Sequence, residues 1–306
     1  MPFRVRHMLN GWERARHRRY CDQSSSLKTK TKIFIAATAS RIVRALRRLL
    51  GKGPIAHVAR GGVNWRLDLT EGIDFSIYLL GAFEPITVAA CSRLIKPGDT
   101  VLDIGANIGA LALPMARMTG SAGMVYCFEP TDYAFNKLTT NLALNPDLAA
   151  RVVASQTMLT DSQQAVVEPI YSSWPLDSTK PLHDLHMGAA ESTTGAQPLR
   201  LDDYLATQNV THVDFIKMDV DGFECHVLGG AWKTLAAHKP VILMELAPYC
   251  LTERKRSLAE LLGILSDAGY RLYHLDGMSP VTDETNRLID PIADGASVNV
   301  IARARG

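Results

Sequence analysis

Short apolar runs alternate with amphipathic segments along most of the chain after residue 100. The apolar runs are typical of strands buried on both faces, and they occupy residues 101–104, 124–129, 151–161, 213–220 and 241–245. Between them, apolar residues recur every three or four positions, which predicts helices at residues 108–115, 133–144, 201–206, 226–238 and 257–268. This alternation indicates an α/β fold with a doubly wound, mostly parallel sheet.

The C-terminal part of the pattern completes that sheet. Residues 271–275 and 296–302 predict two further strands joined by a turn-rich loop, which gives seven strands and an antiparallel edge strand. Residues 168–200 interrupt the alternation, because they are polar and rich in Ser, Thr and Pro. Long loops of this kind often carry specificity.

The pattern before residue 100 differs and predicts a separate N-terminal extension. Residues 56–80 alternate as a short β-hairpin would, and residues 87–95 predict a helix. Residues 33–50 combine an apolar stripe with arginines and predict a basic amphipathic helix. We therefore predict a partly helical extension over residues 1–55 and a main domain over residues 56–306.

Charge is distributed unevenly between these two regions. Residues 1–54 contain 14 Lys or Arg and two acidic residues, whereas the rest of the chain contains 19 basic and 29 acidic residues. The preferred interpretation is that the basic helix packs its apolar face on the main domain and leaves its arginines in solvent. The alternative is peripheral contact of residues 30–50 with an anionic membrane surface, at the inner face of the membrane.

Cysteine usage and the N-terminal sequence favour a cytoplasmic protein. The five cysteines show no spacing typical of a metal site and are expected to be reduced thiols. The arginine-rich residues 1–20 lack the apolar core of a secretion signal, and the apolar stretch at residues 33–39 is too short to span a bilayer. We expect no export.

A glycine-rich turn follows the first predicted parallel strand and predicts a ligand site. The run from Val101 to Gly109 contains Asp103, Gly105, Asn107, Ile108 and Gly109. The two glycines allow the backbone to approach a ligand closely, and the carboxylate of Asp103 can accept hydrogen bonds. A dinucleotide fingerprint would read G-x-G-x-x-G, whereas this turn reads D-x-G-x-x-x-G. The acidic residue favours a cofactor with a cationic amine over one with phosphates.

A second acidic residue strengthens this interpretation. Glu129, followed by Pro130, ends the next predicted strand, about twenty residues beyond the glycine turn. In nucleoside-binding α/β folds, an acidic residue at that position binds the ribose hydroxyls. Asp103 and Glu129 together therefore predict a nucleoside cofactor held by two separate carboxylates.

Several motifs of the chain resemble the FkbM family of S-adenosylmethionine-dependent methyltransferases, over about residues 65–300. The resemblance rests on Gly81-Ala82-Phe83-Glu84-Pro85, Val101 to Gly109, Phe128-Glu129-Pro130, Leu201-Asp202-Asp203-Tyr204, Ile216 to Glu224, and Val227-Leu228-Gly229-Gly230-Ala231. It implies a class I, Rossmann-like methyltransferase fold and S-adenosylmethionine as the cofactor. In one departure, this chain has Asp221 where the family usually has Glu.

The same resemblance implies roles for individual residues. Glu84 joins the cofactor-binding set, Met158 and Asp161 lie near the adenine, and Asp219 lies at the strand end nearest the reacting methyl group. The predicted cofactor-binding residues are Glu84, Asp103, Gly105, Asn107, Ile108, Gly109, Glu129, Pro130, Met158 and Asp161.

Transfer of a methyl group from a sulfonium to a hydroxyl requires alignment of the two and a base for the proton. Asp219, Glu245 and His186 are the predicted catalytic residues, with His183 as a further candidate base. Asp219 and Glu245 end neighbouring predicted strands and could hold a divalent cation, but no further ligands are evident, so no metal is predicted. Lys217 has the same strand parity as Asp219 and could pair with it.

The favoured hypothesis is an O-methyltransferase acting on a hydroxyl of a sugar or glycoconjugate, in line with the acceptors usual for the family. Alternatives are an O-methyltransferase of a polyketide or other secondary metabolite, and a binding protein that has lost turnover. A nucleic-acid methyltransferase is disfavoured, because the chain has Asp219-Val220-Asp221-Gly222 where amino-methylating enzymes have a Pro-Pro turn. The predicted partner is thus a small-molecule or glycan acceptor.

Overall fold

The computed structural model describes residues 29–165, 169–177, 182–184, 187–285 and 287–305. Its centre is a seven-stranded sheet with the strand order β12-β13-β11-β10-β3-β4-β5. The strands are β3 (Thr100–Ile104), β4 (Met124–Phe128), β5 (Val152–Ser155), β10 (Phe215–Met218), β11 (Val241–Leu246), β12 (Tyr270–Tyr273) and β13 (Val298–Ala304). Five neighbouring strands, from β5 to β11, are parallel.

The predicted fold class is confirmed by this sheet. Strand β13 lies between β12 and β11 and runs antiparallel to both, so the antiparallel pairings lie at the end of the sheet formed by the C-terminal strands. The central strands are buried on both faces, since Val101, Leu102, Ile242 and Leu243 are at most 1% exposed. Such continuous apolar runs are what a sheet covered by helices requires.

Helices cover both faces of the sheet. They are α2 (Gly72–Leu80), α3 (Pro85–Leu94), α4 (Ala112–Met118), α5 (Asp132–Ala143), α6 (Pro146–Ala149), α7 (Leu201–Thr207), α8 (Glu224–Gly229), α9 (Trp232–His238), α10 (Pro248–Glu253) and α11 (Leu258–Asp267). Two apolar clusters separate along the two faces, one around Val101, Val125 and Leu113 and the other around Leu102, Ile216 and Leu228. Alternate residues of β3 thus point into opposite clusters, as the period of a strand dictates.

The N-terminal region forms a helix and a hairpin on one side of the sheet. Helix α1 spans Thr29–Leu49, and β1 (Ile55–Arg60) pairs antiparallel with β2 (Val63–Asp68). The predicted amphipathic helix and hairpin are therefore present. Residues 75–78, which the hairpin pattern included, belong instead to α2, where Phe75 and Ile77 are buried.

Two predicted elements are divided in the structure. The strand predicted over residues 151–161 breaks at Gln156, and its second half forms β6 (Thr157–Leu159), which pairs with β9 (Gln197–Leu199) outside the main sheet. The helix predicted over residues 226–238 breaks into α8 and α9 at Gly230, where a Cβ atom would lie 2.2 Å from the carbonyl oxygen of Thr160. Close backbone packing therefore explains the glycine at the second break.

The polar insertion also contains order within its described residues. Strand β7 (Ile170–Ser173) pairs antiparallel with β8 (Ala189–Glu191), and Ser172 and Ser173 are buried. The insertion contacts the start of α2, where the amide of Gly72 donates to the carbonyl of Trp174 at 2.9 Å. This places the insertion above one end of the sheet.

None of the single helices in the described part of the chain is long and apolar enough to cross a membrane. Helices α2 and α3 reach the length and apolar composition of a membrane span only when the two are taken together. They are bent by 73° at the break between them. Both contribute buried residues to the core, among them Phe75, Ile77, Ala90 and Cys91.

Candidate active site

A cavity of about 670 Å³ lies at the carboxyl ends of β3, β4, β10 and β11. Its floor is formed by Ile104, Gly105, Phe128, Lys217 and Asp219, and the insertion and α1 contribute to its walls. The strand order reverses direction between β3 and β10, and open α/β sheets bind ligands at such a switch point. The volume is within the range of pockets that enclose a small-molecule ligand.

The glycine turn after β3 brings bare backbone to this cavity. Gly105 has a φ of +79°, and a Cβ atom there would lie only 1.9 Å from the carbonyl oxygen of Asp219. Asn107 also has a positive φ, +48°, which its side chain makes tolerable because Oδ1 accepts from the amide of Ile108 at 2.9 Å. A side chain at position 105 would collide with the residue that follows β10, so glycine is needed for the turn to come this close.

Glu129 is fixed at the cavity edge by three hydrogen bonds. Its carboxylate accepts from the amide of Asn107 at 2.9 Å, and from the amide and hydroxyl of Thr131 at 2.9 and 2.5 Å. Burial raises the pKa of Glu129, while the bonds from Thr131 and Asn107 oppose that increase. The carboxylate is thus held in place by three donors, and it lines the cavity beside Pro130.

Asp103, in contrast, does not line the cavity. It is fully buried, and neither of its oxygens has a hydrogen-bond partner at normal geometry among the described residues. Its neighbour is Lys217, which is opposite Asp103 in the parallel register and whose Nζ lies 3.6 Å from Oδ1. The structure therefore does not show Asp103 in the position to accept directly from a cofactor amine. The carboxylate faces the lysine instead.

Lys217 joins the strands beneath the cavity. Its Nζ donates to the carbonyl of Gly105 at 2.9 Å and lies 3.7 Å from Oδ2 of Asp219. Burial alone would lower the pKa of this ammonium, but surrounding carboxylates, Asp103 first, raise it above its usual value. The side chain stays charged and ties the glycine turn to the end of β10.

Three carboxylates meet above Lys217. Asp219, Asp221 and Glu245 each place an oxygen within 4.8 Å of the others. Burial raises the pKa of Asp221 and of Glu245 well above the usual carboxyl range, and the charge on Asp219 raises both further. A set of this kind can accept a proton from a bound hydroxyl, and it also has the donor atoms that a divalent cation requires.

Glu84 extends the acidic region. It precedes α3 with a φ of +45°, and its Oε2 accepts from Thr87 Oγ1 at 2.9 Å and from Asn299 Nδ2 at 3.1 Å. Burial and the charge of Asp219 raise its pKa. Glu84 thus lines the cavity at the side opposite Glu129, within the same acidic region as Asp219.

The far wall of the cavity is mainly apolar and aromatic. Tyr171 and Trp174 come from the insertion, Tyr249 from α10, and Ile33 and Ala36 from α1. Aromatic side chains combine apolar area with a flat face, which suits stacking on a ring. These apolar and aromatic residues thus line the same cavity as the acidic cluster.

The structure separates the predicted site residues into two sets. Those that line the cavity are Glu84, Gly105, Asn107, Glu129, Pro130, Met158, Asp219 and Glu245. Those that do not line it are Asp103, Ile108, Gly109, Asp161 and His183.

Each residue of the second set that the structure describes has another environment. Ile108 is 1% exposed in the core, and a Cβ atom at Gly109 would lie 2.8 Å from Leu138, so both pack against the helices. Asp161 is exposed and lies 3.8 Å from Arg256. His183 pairs with Glu253 at 2.8 Å and packs edge-on against Tyr171. His186 lies outside the described residues.

The predicted catalytic and cofactor-binding sets do not include Lys217, Asp221 or Tyr249, which line the cavity. Lys217 was predicted only as a pairing partner, although its parity with Asp219 already placed it on the same face. Asp221 and Tyr249 were not among the predicted residues. The signal for Asp221 was its two-residue spacing from Asp219, but its position depends on a left-handed φ of +47° after the strand ends. For Tyr249, only the turn from β11 into α10 brings the ring to the cavity.

The sheet order, the switch-point cavity and the paired strand-end acids define a class I methyltransferase, and S-adenosylmethionine is the cofactor of that class. Residues 103–272 match the family described as the Methyltransferase FkbM domain. This chain belongs to the FkbM methyltransferase family.

Three methyltransferases similar in sequence to this chain agree with this assignment. Methyltransferase sdnD of Sordaria araneosa is 30% identical over 42% of this chain and 59% of its own length. The 2-O-methyltransferase NoeI of Sinorhizobium fredii is 25% identical over 57% of this chain and 74% of its own. The 31-O-demethyl-FK506 methyltransferase FkbM of Streptomyces tacrolimicus is 28% identical over 44% of this chain and 60% of its own. The chain thus spans about 60% of two of these relatives.

A solved structure is similar at a greater distance. Methyltransferase FkbM from Methylobacillus flagellatus is 19% identical, with a TM-score of 0.42, over 67% of this chain and 43% of its own length. At this distance the fold assignment rests on the strand order and register described above.

Proposed function

We propose that this protein is an S-adenosylmethionine-dependent O-methyltransferase whose acceptor is a hydroxyl of a sugar or glycoconjugate. The observation that carries the proposal is the arrangement of the cavity, with Glu129 at one edge, three carboxylates at another and an aromatic wall facing them. The fit of the cofactor is supported by the bare backbone at Gly105 and by the fixed carboxylate of Glu129. When bound, S-adenosylmethionine supplies an electrophilic methyl group on a positively charged sulfur.

The protein residues provide alignment and proton removal. The aromatic wall orients the acceptor so that its oxygen points toward Asp219, Asp221 and Glu245. A carboxylate of this cluster would take the proton of the acceptor hydroxyl as the oxygen bonds to the methyl group that the cofactor would supply. The electron pair of the broken carbon–sulfur bond would stay on sulfur and the proton on the cluster, so charge balances.

Two observations support oxygen as the acceptor atom and a ring as its carrier. The names of NoeI and of the FK506 enzyme describe 2-O- and 31-O-methyl chemistry for those relatives. In this chain, Trp174 and Tyr171 line the same cavity as the acidic cluster, and aromatic side chains stack well on sugar rings.

A secondary metabolite is the second candidate acceptor. Ile33, Leu80 and Phe83 line the same cavity, and apolar lining of this extent suits a polyketide as well as a sugar. The relative whose name gives 31-O-demethyl-FK506 as its acceptor favours this alternative. Competition between a glycan and a macrolide acceptor for label transfer distinguishes the two.

The location and domain division of the protein belong to the same proposal. We place the protein in the cytoplasm, with peripheral contact to the inner face of the membrane through residues 30–50. Four described cysteines, Cys91, Cys127, Cys225 and Cys250, are free and buried, which suits a reducing compartment. The division into residues 1–55 and 56–306 is supported by the change at that point from helix α1 to the hairpin that begins with β1.

Calorimetry with S-adenosylmethionine and with its demethylated product, followed by transfer of radiolabel to candidate glycans, tests the proposal. Glu129→Gln should weaken cofactor binding about tenfold or more, because it removes a charge-assisted acceptor. Asp161→Asn is the matched control, since Asp161 lies outside the cavity, and its affinity should equal that of the unaltered protein. The proposal would be rejected if the protein bound neither S-adenosylmethionine nor its demethylated product. It would also be rejected if Glu129→Gln and Asp161→Asn bound the cofactor with equal affinity.

A further inference from the structure

Helix α1 has two apolar faces, and the described chain covers only one of them. Its inner face contacts the main domain, where Ala37 and Ser40 are buried and the Ser40 hydroxyl donates to the carbonyl of Leu69. The outer face of α1, defined by Phe34, Ile35, Ile42, Leu46 and Leu49, is exposed. Phe34 is 71% exposed and Leu49 is 83% exposed. Large apolar side chains in such a continuous stripe mark an interaction surface.

Positive charge borders this outer face. Arg48 and Lys52 are exposed at the end of the helix, and Arg41 is 64% exposed at its edge, paired with Asp177 at 2.9 Å. An apolar stripe bordered by cations is complementary to an anionic lipid surface, where the stripe enters the acyl boundary and the cations meet the headgroups.

The arrangement of the arginines disfavours nucleic acid as the partner. Arg44 pairs with Asp177, and Arg47 donates to the carbonyls of Gly53 and Ile55, so both are engaged within the protein. The centre of the outer face is apolar, whereas phosphate backbones require cations there.

The outer face belongs to the same helix that contributes to the cavity wall. Ile33 and Ala36 line the cavity, and the two residues between them, Phe34 and Ile35, belong to the outer face. Leu80, which lines the cavity as well, is 63% exposed. A surface bound to the outer face would therefore lie next to the acceptor entrance.

We infer that the outer face of α1 binds an anionic bilayer surface and holds the cavity entrance at the headgroup layer. The acceptor is then a membrane-held molecule, a lipid-linked glycan, and this second step rests on the function proposed above. The helix lies along the surface with its axis in the plane, because its inner face remains packed on α2 and the hairpin.

Co-sedimentation of the full-length protein with vesicles tests this inference. Vesicles of phosphatidylcholine containing phosphatidylglycerol should bind the protein, and pure phosphatidylcholine vesicles should bind it much less. Combining Phe34→Ser, Ile42→Ser and Leu46→Ser should reduce binding about tenfold or more, because three anchoring side chains are lost. Combining Arg48→Glu with Lys52→Glu should reduce vesicle binding about tenfold or more. High salt should cause a similar loss of vesicle binding by the unaltered protein.

A matched variant controls for the loss of exposed apolar area in general. Met278 and Ile289 are 69% and 49% exposed far from α1 in sequence, and their replacement by Ser should leave vesicle binding unchanged. Cofactor affinity is measured on the same variants, so failure of vesicle binding is separate from failure of the proposed function. Circular dichroism checks that α1 remains helical.

Four results would overturn the inference. The first is equal vesicle binding by the triple Ser variant and the control variant. The second is a dimer that the triple Ser variant abolishes while vesicles bind neither form, which would make the outer face a contact between copies. The third is tight RNA binding that displaces the protein from vesicles. The fourth is loss of vesicle binding only when residues 1–28 are removed.

Discussion

At the scale of single residues, the site depends on how one lysine compensates several buried acids. Lys217 contacts the glycine turn, Asp103 and Asp219 at once. Burying a charge is costly unless a partner of opposite sign is present, and removal of one partner leaves the other uncompensated. Lys217 therefore has a structural role as well as an electrostatic effect on the cluster.

Replacing Lys217 by Met should destabilise the protein by about 3–5 kcal/mol, because Asp103 would remain buried without its cation. Urea unfolding measures this loss. Adding Asp103→Asn to the same chain removes the orphaned charge and should recover part of the stability. If the double variant is as unstable as Lys217→Met alone, the ion pair is not the cause.

Asp219→Asn should lower kcat by about 10²–10⁴-fold, because a positioned base contributes that range to proton transfer. The affinity for S-adenosylmethionine should change only a few-fold, since Gly105 and Glu129 remain in place. Steady-state label transfer and calorimetry give the two values. An unchanged kcat would exclude Asp219 from the mechanism and leave Asp221 and Glu245 as the candidate bases.

At the scale of elements, the turn from β10 into α8 brings the acids together. The chain leaves the strand after Met218, passes through the left-handed φ of Asp221 and enters α8 at Glu224. Burial raises the pKa of Glu224 to about 7, although the amide of Gly222 lies within hydrogen-bonding distance of its carboxylate. This turn is therefore sensitive to pH.

A carboxyl group whose pKa is raised on folding lowers stability as pH increases. For Glu224 the loss begins near pH 4.5, its unfolded value, and is complete above about pH 7. The stability of Glu224→Gln relative to the unaltered protein should thus increase by about 3 kcal/mol between pH 4.5 and pH 8, because each pKa unit corresponds to about 1.4 kcal/mol.

Urea unfolding at both pH values measures this difference, and other titrating groups cancel because both proteins contain them. The matched control is Glu284→Gln, since Glu284 is exposed and its replacement should give no pH-dependent difference. A relative stability that stays constant with pH would show that Glu224 is not held protonated by the fold.

At the scale of the whole molecule, the N-terminal helix completes the acceptor side of the cavity. Helix α1 contributes Ile33 and Ala36 to the wall and is attached through Ser40 and through Asp177 of the insertion. The part of the cavity that we assign to the cofactor is built mainly from the turns that follow β3 and β4. The two halves of the site therefore depend on different parts of the chain.

Removal of residues 1–54 should raise the acceptor KM while leaving the cofactor Kd within a few-fold of its original value. Removal of residues 1–28 alone should affect neither, because the residues that line the cavity remain. Label transfer and calorimetry on both truncated chains test this, with circular dichroism as a check of folding. A cofactor Kd that rises in parallel with the acceptor KM would show that the extension supports the whole fold.

The sequence by itself determined the strands, the helices, the glycine turn and the family, because these depend on local periodicity and on motifs of fixed spacing. It also placed Glu129 and Asp219 at strand ends, where a parallel sheet brings them to one edge. The sequence did not determine whether a given side chain lines the cavity, because that depends on which other element covers the side chain.

Only the tertiary structure decided that Asp103 lies beneath the cavity, facing Lys217, because the parallel register of β3 and β10 places the two side chains opposite each other. It likewise decided that Asp221 joins Asp219 and Glu245, through a left-handed turn that no periodicity encodes. The placement of α1 against the cavity depends on contacts between residues more than 130 positions apart, such as Arg41 with Asp177. Long-range packing, absent from any local pattern, therefore completes the site.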